Sequence, residues 1–171
     1  GTARSYYLRG QVNVVQDAVF NLRNGSNLYM NNGGGEVFGS GDIIKIGTGE
    51  FRFYGNIPYW TGAYIGSAGA SRVYGVSGHV QGMTSMTLER NTYFSLESSA
   101  TTVDEFRDRL PDNMPIFTNG YIRMRQEAGG GVFSNAQERA ITFACTDGTN
   151  GPVRISAERT CGVGTPSSEP H

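Results

Sequence analysis

Residues 4–23 read RSYYLRGQVNVVQDAVFNLR, and two secondary structures compete for them. A helix is indicated by apolar residues at alternating spacings of four and three, namely Leu8, Val12, Val15, Val19 and Leu22. A strand is indicated by parity, with apolar side chains on one face at Leu8, Val12, Val14, Ala18, Phe20 and Leu22. A single strand over the whole stretch would exceed the usual length of roughly 3–10 residues. We therefore predict a helix, ended by Asn24-Gly25, although Gly10 and the valines disfavour it.

Composition limits the class of protein. The chain has 171 residues, 14 basic and 15 acidic side chains and a net charge of -1, which argues against a dedicated nucleic-acid binder. The aromatic side chains are too many, and the net charge too small, for a disordered chain. No apolar run reaches the roughly 18 residues that a transmembrane helix needs. We predict a single domain over residues 1–163, followed by a flexible tail at 164–171.

The rest of the sequence indicates short strands joined by turns. Residues 24–50 are rich in Asn and Gly and enclose a short strand around Ile43, Ile44 and Ile46. Residues 55–85 are interpreted as an aromatic loop. Further strands are predicted at 50–54, 116–126, 139–145 and 153–157. Residues 84–98 are interpreted as an antiparallel pair turning at Arg90-Asn91 or as one bent strand. The predicted fold is therefore α+β, with an N-terminal amphipathic helix packed on an antiparallel β-sheet.

The two cysteines, Cys145 and Cys161, enclose a turn-rich segment and a short strand. An excursion of this length can return its ends to bridging distance, and the composition is typical of an extracellular protein. We predict a disulfide, with two independent buried thiols as the alternative. No metal site is predicted, because there is no CxxC and the only histidines are His79 and His171.

No catalytic motif emerges from the sequence. There is no GxSxG, and the glycine-rich GGGEVFGSG at 33–41 lacks the Lys-Ser/Thr and helix of a phosphate-binding loop. Thr102 and Glu105 form a capping box, so the acidic residues beside them are attributed to a helix N-terminus. We predict neither an enzyme nor a cofactor, with a secreted glycan-active enzyme as a minor alternative.

Four aromatic residues cluster along the glycine-rich middle of the chain: Tyr54, Tyr59, Trp60 and Tyr64. Amphipathic rings on such a segment suit sugar stacking or protein contact, which makes them a candidate partner surface. Packing in the core is the competing interpretation.

The order of these parts resembles a type IV pilin, closest to the type IVb kind. The stripe from Leu8 to Leu22 is similar to the second half of a pilin helix, and Cys145 to Cys161 to the disulfide-bounded C-terminal region. The resemblance implies an extracellular cell-surface filament whose subunits pack through Leu8, Val12, Val15, Val19 and Leu22. It also implies a hydrophobic half-helix upstream of Gly1.

A second resemblance is to the receptor-binding head of a trimeric phage fibre. It is carried by the short-strand, Gly/Asn-turn pattern of NGSNLYMNNGGGEVFGSGD at residues 24–42. It implies an all-β fold, a trimer, a location on the virion and binding of a host-surface glycan or protein. The sequence thus predicts a non-catalytic structural or adhesive subunit, with the fibre head as the alternative.

Overall fold

The computed structural model describes residues 3–89, 92–98, 110–111, 114–118, 120–126, 142–144 and 154–159, and all regular structure in these ranges is β-strand. In chain order the first nine strands are β1 (Arg4–Leu8), β2 (Gln11–Asn13), β3 (Ala18–Asn21), β4 (Ser26–Met30), β5 (Glu36–Gly39), β6 (Ile43–Ile46), β7 (Glu50–Asn56), β8 (Tyr59–Trp60) and β9 (Tyr64–Gly66). They are followed by β10 (Gly69–His79), β11 (Met86–Leu88), β12 (Thr92–Ser98), β13 (Pro115–Thr118), β14 (Tyr121–Gln126), β15 (Thr142–Ala144) and β16 (Arg154–Arg159).

The strands form a parallel β-solenoid. Sheet 1 has the order β1-β4-β7-β10-β12-β14-β16, sheet 2 the order β15-β13-β11-β9-β6-β3, and sheet 3 the order β2-β5-β8. All pairings among the described strands are parallel, and each joins equivalent strands of successive coils. A coil takes about 20 to 33 residues, judged from the partners of Tyr54 and Tyr121, and such periods are typical of solenoids.

Alternation along each strand places one set of side chains inside the coils. Sheet 1 contributes Leu28, Met30, Phe51, Phe53, Val73 and Phe94, sheet 2 contributes Ile43, Tyr64, Met86, Leu88 and Ile116, and sheet 3 contributes Val37 and Trp60. Each buried apolar side chain of this size contributes about 1.5–3 kcal/mol relative to exposure. Because successive coils stack in register, the core is a set of rows that run from coil to coil.

The corners between sheets need close approach of successive backbones. A Cβ added to Gly62 would lie 2.1 Å from the carbonyl oxygen of Gly41 in the preceding coil, so only glycine fits there. The same carbonyl oxygen accepts a hydrogen bond from the indole Nε1 of buried Trp60 at 2.9 Å. Asp42, at this corner, accepts a hydrogen bond on Oδ1 from the backbone N–H of Ala63 at 2.8 Å. These contacts fix the register of the second and third coils.

The predicted N-terminal helix is wrong. Residues 4–23 contain the three strands β1, β2 and β3, and Gly10 sits between the first two in the left-handed region with φ 81°. The backbone N–H groups of Val14, Ala18 and Leu22 donate to carbonyls of the second coil rather than to residues four positions earlier. Turns divide the stretch into three short strands, so none of them exceeds the usual strand length. The alternating apolar residues that indicated a strand are buried or packed against the core, as that alternative predicted.

The α+β class and the antiparallel sheet are therefore corrected to an all-β, all-parallel arrangement in the described ranges. The segment interpreted as an aromatic loop at 55–85 instead includes the end of β7 and contains β8, β9 and β10. The predicted strand at Ile43–Ile46 is confirmed as β6. The turn at Arg90-Asn91, the capping box at Thr102 and Glu105, the cysteines Cys145 and Cys161, and the tail at 164–171 lie outside the described residues.

Candidate binding surface on sheet 1

The outer face of sheet 1 carries rows of tyrosine and arginine. The register aligns Tyr7, Tyr29, Arg52 and Arg72 on four successive strands, and aligns Tyr54 with Tyr74 beside them. We call the following set the Tyr–Arg strip: Tyr7, Arg9, Tyr29, Glu50, Arg52, Tyr54, Arg72 and Tyr74. At about 4.8 Å between neighbouring strands, its four coils span about 14 Å.

An ion-pair triad lies in the middle of the strip. The carboxylate Oε1 of Glu50 lies 2.5 Å from Nε of Arg52 and also pairs with Nε of Arg72. Oε2 of Glu50 lies 3.2 Å from Nη2 of Arg52. The three side chains are only 13%, 17% and 14% exposed for Glu50, Arg52 and Arg72. Two guanidinium groups thus share one carboxylate, which leaves the triad with a formal charge of +1.

Arg52 is held on several sides. Its Nη1 donates to the hydroxyl of Tyr29 at 2.5 Å, and its guanidinium carbon lies 4.8 Å from the Tyr29 ring centre and 5.5 Å from that of Tyr74. Burial lowers the pKa of Arg52, but the hydrogen bond and charge of Glu50 outweigh it, so this pKa is raised above its usual value. Arg52 is therefore a fixed cation at the centre of the strip.

Tyrosine rings continue the strip on both sides of Arg52. Tyr7 stacks on Tyr29 with ring centres 4.9 Å apart, and Tyr54 lies 6.3 Å from Tyr29 and 5.7 Å from Tyr74. The guanidinium of exposed Arg9 lies 5.0 Å from the Tyr7 ring centre. Flat apolar faces with hydroxyl edges suit the apolar faces and hydroxyls of sugars, and the cations suit anionic groups. Among the residues with described side chains on the outer face of sheet 1, Glu50 is the only acid, so no pair of carboxylates for glycoside hydrolysis is found among them.

Of the four aromatic residues predicted as a partner surface, only Tyr54 belongs to the strip. Tyr59 is 64% exposed, but it lies on β8 in sheet 3. Trp60 and Tyr64 are fully buried and pack with Phe53, so for these two the partner surface is corrected to a place in the core. The reason is alternation: residues close together along the chain point to opposite sides of the coil wall.

The predicted filament stripe does not form a single face. Val15 and Val19 are 69% and 60% exposed, whereas Leu22 is buried and Leu8 and Val12 pack against the core. A stripe at helical spacing divides between the two faces when the backbone is extended.

Sequence reasoning missed Tyr7, Arg9, Tyr29, Glu50, Arg52, Arg72 and Tyr74. One signal could have found part of this set, because GEFRFYG at 49–55 and GASRVYG at 69–75 share the pattern G-x-x-R-x-Y-G. In the fold these segments are neighbouring strands, with Arg52 beside Arg72 and Tyr54 beside Tyr74.

The outer face of sheet 2 differs in chemistry from that of sheet 1. A row across it contains Val19, Ile44, Ile65, Thr87 and Phe117, aligned by the register of successive strands. Val19 and Phe117 are 60% and 40% exposed. An uncharged, largely apolar row on the outside of a solenoid is typical of a protein contact.

Lys45 is an unusual buried group on sheet 2. Its side chain is fully buried, and Nζ donates to the carbonyl oxygens of Gly47, at 2.6 Å, and of Ala68. Burial lowers the pKa of Lys45 to about 8, partly offset by the charge of Glu50. Nearby, the hydroxyls of Tyr64 and Ser71 are hydrogen-bonded to each other, and burial raises the pKa of Tyr64.

Within the part of the chain that the structure describes, no three His, Cys, Asp or Glu side chains are placed to hold a metal ion. No helix long and apolar enough to cross a membrane is found in that part either.

No protein-family model matches this sequence, and comparison with the curated proteins and with the solved structures also found no match.

Proposed function

We propose that this chain is a receptor-binding module of the viral-fibre kind, which binds a host-surface glycan along the Tyr–Arg strip. The observation that carries the proposal is the continuous row of half-exposed tyrosines around a fixed arginine on the outer face of sheet 1. Parallel coils make this surface elongated and rigid, which favours an oligosaccharide over a small molecule. The protein would act outside the cell, on a virion, without catalysis.

The all-β solenoid supports this proposal over a pilin subunit. The pilin resemblance depended on a helix at residues 4–23, and three strands stand there instead. Stacked coils are an elongated architecture of the kind that a fibre requires. The row from Val19 to Phe117 on sheet 2 would supply the contact between chains, and three copies would assemble around a common axis.

The direct test is binding of the purified chain to host cells and to a glycan array, with single tyrosine variants. Tyr54→Ala and Tyr74→Ala should each weaken binding about tenfold, because loss of one ring contact of roughly 1.4 kcal/mol corresponds to that factor. Tyr59→Ala is the matched control, since it removes an exposed tyrosine from sheet 3 and should leave binding unchanged. Periodate treatment of the cells, which destroys sugar diols, should abolish binding.

Two results would contradict the proposal. Binding that survives periodate would identify a protein receptor. Binding that is unaffected by Tyr54→Ala and Tyr74→Ala but weakened by Tyr59→Ala would move the site away from sheet 1.

A further inference from the structure

We infer that the outer edge of β1, at the N-terminal end of the solenoid, binds an acidic β-strand of a partner protein. Among the described strands, β1 pairs with β4 alone, which makes Arg4–Leu8 the first strand of sheet 1. We call the side of Arg4–Leu8 that faces away from β4 the β1 edge. Binding there goes beyond the proposed function and does not depend on glycan binding by the outer face of the sheet.

The β1 edge presents backbone groups to a further strand. In a parallel pair, each bonding residue directs its N–H and its C=O to the same neighbouring strand, and the bonding residues alternate. The N–H of Arg4 donates to the carbonyl oxygen of Gly25 at 2.9 Å, so the even-numbered residues of β1 bond on the side of β4. The N–H and C=O groups of Ser5 and Tyr7 therefore point outward, where an added strand would bond to them.

The apolar core is also uncovered at this end. Tyr6 aligns with Leu28 and Phe51, which are 6% and 0% exposed, yet Tyr6 itself is 47% exposed. A concavity of about 400 Å³ beside it is lined by Tyr6, Asn21, Leu22, Arg23 and Ser26. An apolar side chain on an added strand would cover the Tyr6 ring, and the concavity would accept a neighbouring side chain.

β1 has little of the protection that edge strands usually carry. Its sequence RSYYL contains no proline, it pairs with β4 without a bulge, and its one charge is at the first residue. It is also the longest strand of the first coil, with five residues against three in β2 and four in β3. β1 is therefore the strand best suited at this end to strand addition, in which main-chain hydrogen bonds provide the affinity.

The side chains around the β1 edge favour an acidic partner. Arg4, Arg9 and Arg23 are exposed, and no acidic residue occurs in 3–10 or 21–27, the segments that form β1 and the turn beside it. A second copy placed edge to edge would bring arginines of the two chains together, whereas a strand that carries Asp or Glu would pair with them. Exposed ion pairs are individually weak, so they select the partner while the main-chain hydrogen bonds hold it.

The test is a titration of a fluorescent peptide with the 171-residue chain, followed by anisotropy. The probe is a peptide of about nine residues that alternates valine and glutamate, and its matched control has lysine in place of glutamate. The glutamate peptide should bind at least about tenfold more tightly than the lysine peptide at about 0.05 M NaCl. In hydrogen exchange, the bound peptide should slow the amides of Ser5 and Tyr7.

Three variants locate the contact. Ser5→Pro should weaken binding about tenfold or more, because proline removes an outward N–H, and proline is tolerated on an edge strand at such a position. Ser5→Ala is the matched control, since it keeps the N–H and should bind as the wild type does. Arg23→Gln changes an exposed turn, so it should fold normally and weaken binding of the glutamate peptide about threefold.

Several results would overturn the proposal. Equal binding of the two peptides, or no binding of either, would do so, as would protection of β2 instead of β1 in hydrogen exchange. Wild-type affinity in a folded Ser5→Pro, or in Arg23→Gln, would have the same meaning. Self-association of the chain without peptide, lost in Ser5→Pro, would assign the β1 edge to a second copy and exclude the acidic partner.

Discussion

Lys45 allows the energetics of the core to be tested by one substitution, Lys45→Met. The charged amine is fully buried, and two backbone carbonyls are its hydrogen-bond partners. Methionine has a similar length and no charge. The substitution removes the titration of Lys45, while it also leaves the carbonyls of Gly47 and Ala68 without this donor, at a cost of about 1–3 kcal/mol each. The stability of the variant at one pH therefore does not isolate the effect of the buried charge. The pH dependence of its stability does.

The sign of that dependence follows from the lowered pKa. Between about 8, the pKa of Lys45 in the folded chain, and its usual 10.5, the unfolded state binds more protons than the folded state. The free energy of unfolding therefore rises with pH across this window and is flat below it. The whole difference between the folded and the unfolded pKa of Lys45 corresponds to about 3 kcal/mol in the free energy of unfolding. About 2 kcal/mol of this should appear between pH 7 and pH 9.5.

The assay is urea unfolding at pH 7 and at pH 9.5, for the wild-type chain and for Lys45→Met. The pH range ends at 9.5 because of Tyr64, whose pKa is raised in the folded chain. Near pH 10 tyrosine ionises in the unfolded chain but not at Tyr64 in the folded chain, which favours unfolding and would obscure the effect of Lys45. From pH 7 to pH 9.5, the free energy of unfolding should rise by about 2 kcal/mol more in the wild type than in Lys45→Met.

An identical pH dependence in the two proteins would refute the argument. It would mean that Lys45 reaches water in the folded chain, and that the amine is not held by the carbonyls of Gly47 and Ala68.

Two further predictions concern the core and the assembly. Trp60→Ala should lower the free energy of unfolding by about 3–5 kcal/mol, because the ring is buried and donates to Gly41; an unchanged melting temperature would contradict its place in the core. Light scattering should give a mass near three times the 18.5 kDa of one chain, and Ile65→Asp should dissociate the assembly because it places a charge on the apolar row. A wild-type chain that is monomeric at micromolar concentration would refute the trimer.

The sequence predicted strands better than it predicted their arrangement. The strand at Ile43–Ile46 and the alternation of Phe51, Arg52 and Phe53 were visible, because period-two patterns depend only on neighbouring residues. The helix at 4–23 was wrong because Gly10 interrupts a pattern that looks helical only when it is taken as one continuous element. In a solenoid, the hydrogen-bond partners of a strand lie in the next coil, and no local pattern shows them.

The site was harder to predict for the same reason. Tyr54, Tyr59, Trp60 and Tyr64 are close along the chain, yet the fold separates them among three sheets and two faces. Residues that do meet, such as Arg52 and Arg72, belong to different coils. The sequence shows no repeat of fixed length, because coil length varies from about 20 residues between Tyr54 and Tyr74 to about 33 between Tyr121 and Arg154.

Coil length therefore determines which side chains form the core and which form the outer face of sheet 1. On β7, Phe51 and Phe53 face the core while Arg52 and Tyr54 face the strip, and β10 repeats this with Val73 inside and Arg72 outside. Removing one residue between these strands would shift the register by one and exchange the two faces. Arg72 would then enter the core and Val73 the surface, so the core would be lost together with the site. Differences in length are compatible with this fold where they leave the two faces unchanged, either at the corners or at an irregularity such as that between Tyr74 and His79, where β10 advances five residues against two on β7.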